Sequence, residues 1–225
     1  MNHFMKTVSL LMVMLICVLS GCKNQSGSNG TFEIGDKTFL LNGKPFIIKA
    51  AEIHYTRIPV EYWEHRIQMC KALGMNTICI YAFWNIHEQK PGEFDFSGQN
   101  DIAAFCRLAQ KNGMYIMLRP GPYVCSEWEM GGLPWWLLKK EDIQLRTNDP
   151  YSIERTRIYM NEIGKQLADR QITRGGNIIM VQVENEYGSY ATDKSYIAKN
   201  RDILREAGFT DVPLFQCDWS SNFLN

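Results

Sequence analysis

Acidic and aromatic side chains recur in short clusters along this chain. Glu52-Ile53-His54-Tyr55 comes first, then Tyr81 with Trp84-Asn85-Ile86-His87-Glu88. Arg119-Pro120-Gly121-Pro122-Tyr123, Glu127-Trp128-Glu129 and Trp135-Trp136 follow. Glu184-Asn185-Glu186-Tyr187 and Asp218-Trp219 complete the set. That mixture suits sugars, whose C–H faces stack on aromatic rings and whose hydroxyls pair with Asp, Glu, Asn and His. Cleaving a glycosidic bond needs two carboxyl groups. One protonates the leaving oxygen; the other attacks the anomeric carbon or activates water. The same residues have a plainer use, the aromatics as packing and the carboxylates as partners of an arginine such as Arg119. Residue types alone leave both readings open.

Each cluster follows an apolar run that predicts a strand. Phe32 to Ile48 reads as a small β lead-in turning at Asn42-Gly43. Strands are expected over Phe46 to Ile53, Thr77 to Tyr81, Met114 to Leu118, Ile178 to Val183 and Leu214 to Cys217. Helices fill the gaps. Pro59 opens one carrying Tyr62 or Trp63, Ile67, Cys70 and Leu73, with Gly74 at its end. Asn100 or Asp101 caps a second, with Ile102, Phe105, Cys106 and Ala109 inward and Gly113 as its stop. Asp149-Pro150 starts a third, to about Arg170; the fourth runs from Lys194 to Ala207, before Gly208. The alternation predicts an α/β fold with a parallel sheet and helices outside, either doubly wound or a (β/α)8 barrel. In both, ligands meet the carboxyl ends of the strands, where the clusters fall. No glycine-rich phosphate loop follows any strand, so a nucleotide cofactor has no support.

The 225 residues allow one large domain or two small ones. With 24 basic and 24 acidic side chains the net charge is zero, which argues against nucleic acid held by a bulk basic field. The apolar fraction of 45% excludes wholesale disorder. Lys6 and the apolar run Val8 to Leu19 suit a signal peptide, being too short to span a bilayer. Leu19-Ser20-Gly21-Cys22 resembles a bacterial lipobox. Residues 1–21 are thus expected to be a lipoprotein signal peptide, Cys22 the lipidated residue and 22–30 a flexible tether. That places the protein in the bacterial cell envelope, periplasmic or at the cell surface. Cys70, Cys79, Cys106, Cys125 and Cys217 mostly sit in apolar runs and are expected to be buried thiols; no zinc spacing occurs.

The motifs are also specific. Gly175-Gly176-Asn177-Ile178-Ile179-Met180-Val181-Gln182-Val183-Glu184-Asn185-Glu186-Tyr187-Gly188 closely resembles the signature of glycoside hydrolase family 35, the β-galactosidases. Glu52 to Pro59, Tyr81 to Glu88, and Arg119 to Tyr123 through Gly131 to Trp135 resemble its other strand-end segments. The resemblance covers about Thr31 to Asn225. It implies a (β/α)8 TIM barrel, truncated after about five βα units, with 31–225 as part of the catalytic domain. It also implies a retaining exo-acting enzyme that releases terminal β-galactose without a cofactor or metal. A β-glucosaminidase of the same architecture and a sugar-binding lipoprotein without catalysis remain as alternatives.

The resemblance assigns roles. Glu186 matches the general acid/base, and Asn185 would bond the substrate 2-hydroxyl. Tyr81 and Glu127 match positions that hold the galactosyl ring, assisted by groups near Cys125 and Ser126. An ideal strand would put Glu184 and Glu186 on one face; under the resemblance Glu184 is the structural one, an ion-pair partner. His54 and His87 are expected to be structural hydrogen-bonders, because two-carboxylate chemistry leaves histidine no obligatory role. Three departures stand out. Asn177 occupies a position where proline is common, with little effect expected. The Ser189 to Ser195 stretch lacks the cysteine that Cys125 pairs with in some relatives, which puts a disulfide there in doubt. The family's nucleophile, a glutamate on strand seven, has no match, so it is expected beyond this chain, leaving the fragment inactive alone.

Overall fold

A computed structural model describes residues 29–222. The signal-peptide reading, the Cys22 lipidation site and most of the tether lie outside those residues. A three-stranded antiparallel sheet opens the described part: β1 (Phe32–Ile34), β2 (Phe39–Leu41) and β3 (Lys44–Phe46). The β2–β3 turn falls at Asn42 and Gly43, both with positive φ (52° and 72°), which the twist of a tight hairpin requires. Phe32 packs on Phe39 and Phe46, and Phe46 meets the edge of Tyr115 at 5.6 Å. The lead-in therefore covers the amino-terminal end of the main sheet.

That sheet is parallel, in the order β4 (Ala50–Glu52), β5 (Thr77–Tyr81), β6 (Tyr115–Arg119), β7 (Ile178–Gln182), β8 (Leu214–Phe215). Spatial order equals chain order. A doubly wound sheet reverses its order at a switch point; this one does not, so it is part of a barrel. β5 and β7 are buried at every position. The single strand expected over Phe46 to Ile53 is two short strands in different sheets. Asn76 explains the break: its Oδ1 accepts from Lys49 N (3.0 Å) and its Nδ2 donates to Ile47 O (2.9 Å). This holds 47–49 as a crossing segment with Ile47 exposed.

The helices are α1 (Val60–Ala72), the single turn α2 (Trp84–His87), α3 (Ile102–Lys111), α4 (Pro150–Leu167) and α5 (Lys194–Glu206). Asp101 caps α3 by accepting from Ala104 N, and Asp149 caps α4 by accepting from Ser152 N. An oxygen at that position satisfies an amide the helix leaves free. Gly74, Gly113 and Gly208 follow their helices with φ of 82°, 74° and 100°. The α3 stripe Ile102, Phe105, Cys106 and Ala109 is fully buried, as its spacing predicts. On α1, Trp63 and Ile67 are buried but Tyr62 and Leu73 are 54% and 74% exposed, so Trp63 is the inward residue. α4 ends at Leu167, short of Arg170, and a 3-10 turn over Ala168–Arg170 follows.

Asn177 does more than its strand-entry position suggests. It is buried, and its Nδ2 donates to Cys106 O and Met114 O, both at 3.0 Å. One amide thus ties α3, the start of β6 and the start of β7 together.

Candidate active site

The strand-end clusters divide sharply into packing and site. Tyr55, Trp84, Trp136, His87 and Glu88 are all buried. Trp84 stacks on Tyr159 at 4.9 Å. Glu88 pairs with Arg155 and accepts from Trp84 Nε1 (2.6 Å) and Gly92 N (2.7 Å). His87 Nδ1 meets Asp95 O at 3.0 Å, and its Nε2 meets Tyr55 Oη at 2.6 Å. A carbonyl only accepts, so Nδ1 carries the proton and Tyr55 donates to Nε2. Burial holds the His87 imidazole down at about 4, in keeping with a structural role. His54 packs edge-on against Tyr81 (4.9 Å) and Phe83 (5.4 Å); burial and then Arg57 keep its pKa below the usual value.

A polar network fills the carboxyl end of the sheet, centred on Arg119, the last residue of β6. Its Nη1 donates to Glu52 Oε1 at 2.7 Å, and its guanidinium lies over the Tyr81 ring at 4.3 Å. Tyr81 Oη donates to the same Glu52 oxygen at 2.6 Å and also contacts Arg119. Burial, then that bond to Glu52, raises the phenol pKa well above its usual value. Arg119 Nη2 donates to Asn185 Oδ1 at 2.5 Å, and Gln182 Nε2 donates to the same oxygen at 3.0 Å. Cys79 and Cys217 also neighbour Arg119, and burial pushes the Cys79 thiol up to about 11.

β7 ends at Gln182, so the two glutamates do not share a strand face. Glu184 (φ 58°) and Glu186 (φ 48°) both sit in left-handed backbone, and the chain turns at each. Glu184 turns inward. It is 1% exposed, and Arg146 grips it with Nε and Nη2, both at 2.8 Å. Tyr196 Oη adds a bond at 3.3 Å, and Asn185 N donates to Oε2 at 2.6 Å. Burial raises the Glu184 pKa while Arg146 pulls it down, so the carboxyl is committed to that pairing. Glu186 is held by its backbone, N to Cys217 O at 3.0 Å, and its half-buried side chain remains available to a ligand.

Cys125, Ser126 and Glu127 are three consecutive residues with φ between 46° and 58°. Non-glycine residues pay about 1 kcal/mol or more each for that conformation, so the surroundings must enforce it. Ser126 Oγ donates to Val124 O (3.0 Å), Trp128 N to Cys125 O (3.0 Å) and Arg57 Nη2 to Glu127 O (2.9 Å). Gly131 permits the fold-back: a Cβ there would lie 2.0 Å from the Tyr123 ring.

The pattern of glycosyl hydrolases family 35 matches residues 38–225. The chain belongs to that family. It is 42% identical over 219 residues to a β-galactosidase of Xanthomonas manihotis, covering 97% of this chain and 37% of that protein. To human β-galactosidase it is 40% identical over 210 residues, covering 93% and 31%. The chain therefore spans about a third of the length of these relatives. Among solved structures it resembles GH5_18 from Streptomyces cattleya in complex with GlcNAc, with TM-score 0.59, 16% identity and 75% and 41% coverage. It also resembles the exo-β-1,4-mannosidase Op5Man5 from an Opitutaceae bacterium, with TM-score 0.58, 21% identity and 73% and 30% coverage. These likenesses concern the fold, a partial (β/α)8 barrel.

Within this family 35 barrel, Tyr81 and Asn185 both meet Arg119, and Ser126 reaches Tyr81. Glu186 flanks the Cys217 thiol that Arg119 and Glu52 also approach. Glu127 neighbours His54 and lines an adjoining cleft of about 660 Å³ with Arg57, Asn85, Trp128 and Trp135. Cys125 instead faces Tyr123, toward Arg146. Of the five described cysteines, Cys79 and Cys106 are buried, as expected, while Cys70, Cys125 and Cys217 are only half-buried. All five described thiols are free. Sequence reasoning missed Arg146, which lies in an irregular loop at φ 56° with no motif around it. It missed Gln182 too; the only available signal was a polar residue ending an apolar run.

Proposed function

We propose that this chain carries the proton-donating half of a retaining exo-β-galactosidase. The disposition of the two glutamates carries the reading. Glu184 is consumed by Arg146, whereas Glu186 is the half-buried carboxyl beside Asn185 at the carboxyl end of β7. In the first step a glutamate nucleophile, on a strand beyond those described, attacks the anomeric carbon while Glu186 gives its proton to the departing oxygen. In the second, Glu186 takes a proton from water, whose oxygen displaces the enzyme carboxylate and frees galactose. Asn185 bonds the 2-hydroxyl, and Tyr81, Glu127 and the Cys125–Ser126 turn hold the ring. Residues 1–225 alone do not turn over galactosides. We further propose that Cys22 carries a lipid that tethers the enzyme in the bacterial cell envelope.

The test compares leaving groups in the full-length enzyme. Glu186→Gln lowers kcat/KM, which reports the first step alone, on an alkyl β-galactoside by about 10²–10⁴-fold, and far less on an activated aryl one, whose departure needs no proton donor. Equal loss on both would sink the acid/base role. Glu184→Gln is the contrast: it strands Arg146 and lowers the melting temperature.

A further inference from the structure

An asparagine side chain is ambiguous as a substrate contact. Rotated by half a turn, it exchanges a hydrogen-bond acceptor for a donor. At Asn185 the surroundings remove that ambiguity. Oδ1 receives two N–H donors, Arg119 Nη2 at 2.5 Å and Gln182 Nε2 at 3.0 Å. Reversing the amide would forfeit both bonds and set its own N–H groups against theirs. Neither donor can yield. The guanidinium has no acceptor and keeps its protons. Gln182 Nε2 is fixed by a second bond, to Glu184 O at 2.6 Å. Arg119 is fixed by Glu52 Oε1 and the Tyr81 ring.

Asn185 Nδ2 makes no hydrogen bond to any described residue, yet it is not among the sealed, unsatisfied polar atoms of the interior. It is therefore open to the site although the residue as a whole is buried. We infer that Arg119 and Gln182 are positioning residues that lock Asn185 with its N–H donors toward the substrate, so that the galactosyl 2-oxygen is recognised as an acceptor. This rests on the role proposed above for Asn185. The charge on Arg119 also draws electron density toward Oδ1 and sharpens the Nδ2 donor. Accepting from Nδ2 polarises the 2-hydroxyl's own O–H, and hydrogen bonds at this hydroxyl strengthen in the transition state, so the clamp acts on kcat more than on KM.

A substrate-deletion cycle in the full-length enzyme tests this. An aryl β-galactoside and its 2-deoxy analogue are compared for the parent, Asn185→Ala, Gln182→Met, Gln182→Glu and the double variant Gln182→Met with Asn185→Ala. Gln182→Met is expected to lower kcat about tenfold on the galactoside, the worth of one misdirected hydrogen bond, and about twofold or less on the 2-deoxy analogue. Gln182→Glu preserves volume but supplies an acceptor, so it loses at least as much. The double variant is no slower than Asn185→Ala. Unchanged turnover of the 2-deoxy substrate itself reports correct folding. Equal loss on both substrates, or loss on neither, overturns the clamp. If Asn185→Ala itself ignores the 2-hydroxyl, the proposed role of Asn185 is what falls, and the clamp with it.

Discussion

His87 shows how a strand-end residue becomes part of the scaffold. It is neutral, with Asp95 O fixing one nitrogen and Tyr55 the other. Its pKa falls from 6.5 unfolded to about 4 folded, chiefly through burial. The unfolded chain therefore binds a proton that the folded one refuses. Its contribution to stability is complete above pH 6.5 and is lost as pH falls toward 4, about 3 kcal/mol in all. Thermal melts from pH 7 to 4 should show this slope. His87→Gln, which can still accept from Tyr55 and donate to Asp95 O, should flatten it; an unchanged slope would assign the effect elsewhere. At this scale the sequence was partly legible. Two-carboxylate chemistry pointed to structural histidines, and the bonds of His87 agree with that, but only packing separates Glu88 from Glu186, since both are glutamates following a strand.

Elements were legible where the cause is local. Asp101 and Asp149 cap helices through amides three residues on, and Gly74, Gly113 and Gly208 close them with positive φ. They were illegible where a distant residue decides, as when Asn76 divides the expected first strand. Gly164 is another such case. It lies in the interior of α4, where alanine is favoured by about 1 kcal/mol. Yet a Cβ there would stand 2.0 Å from Ala207 O, just beyond α5. Gly164→Ala must push the two helices apart, at about 1–3 kcal/mol of overpacking. The expected result is a lower melting temperature despite better helix propensity; a rise would mean that α5 yields freely.

For the whole molecule, sequential strand order makes the sheet part of a closed cylinder. β5, β6 and β7 each have two neighbours, while β4 is bonded only to β5 among the described strands. Local opening follows how many bonds hold a backbone. Hydrogen exchange on residues 1–225 should therefore find Ala50–Glu52 exchanging far faster than Thr77–Tyr81 or Ile178–Gln182. Comparable protection would require a partner for the β4 edge. The alternation of strands and helices made the parallel sheet legible, and the motifs made the barrel legible. The clamp on Asn185 was not, because it joins β6, β7 and Glu52 at the end of β4, which are far apart in the chain.

Asn177 has a consequence for what else this position can hold. The family resemblance puts proline at this position, which makes Asn177→Pro look like a harmless exchange. Here the asparagine amide has become the partner of two carbonyls, on Cys106 and Met114. Proline has nothing to offer them. The exchange thus costs both bonds unless α3 and β6 find another donor.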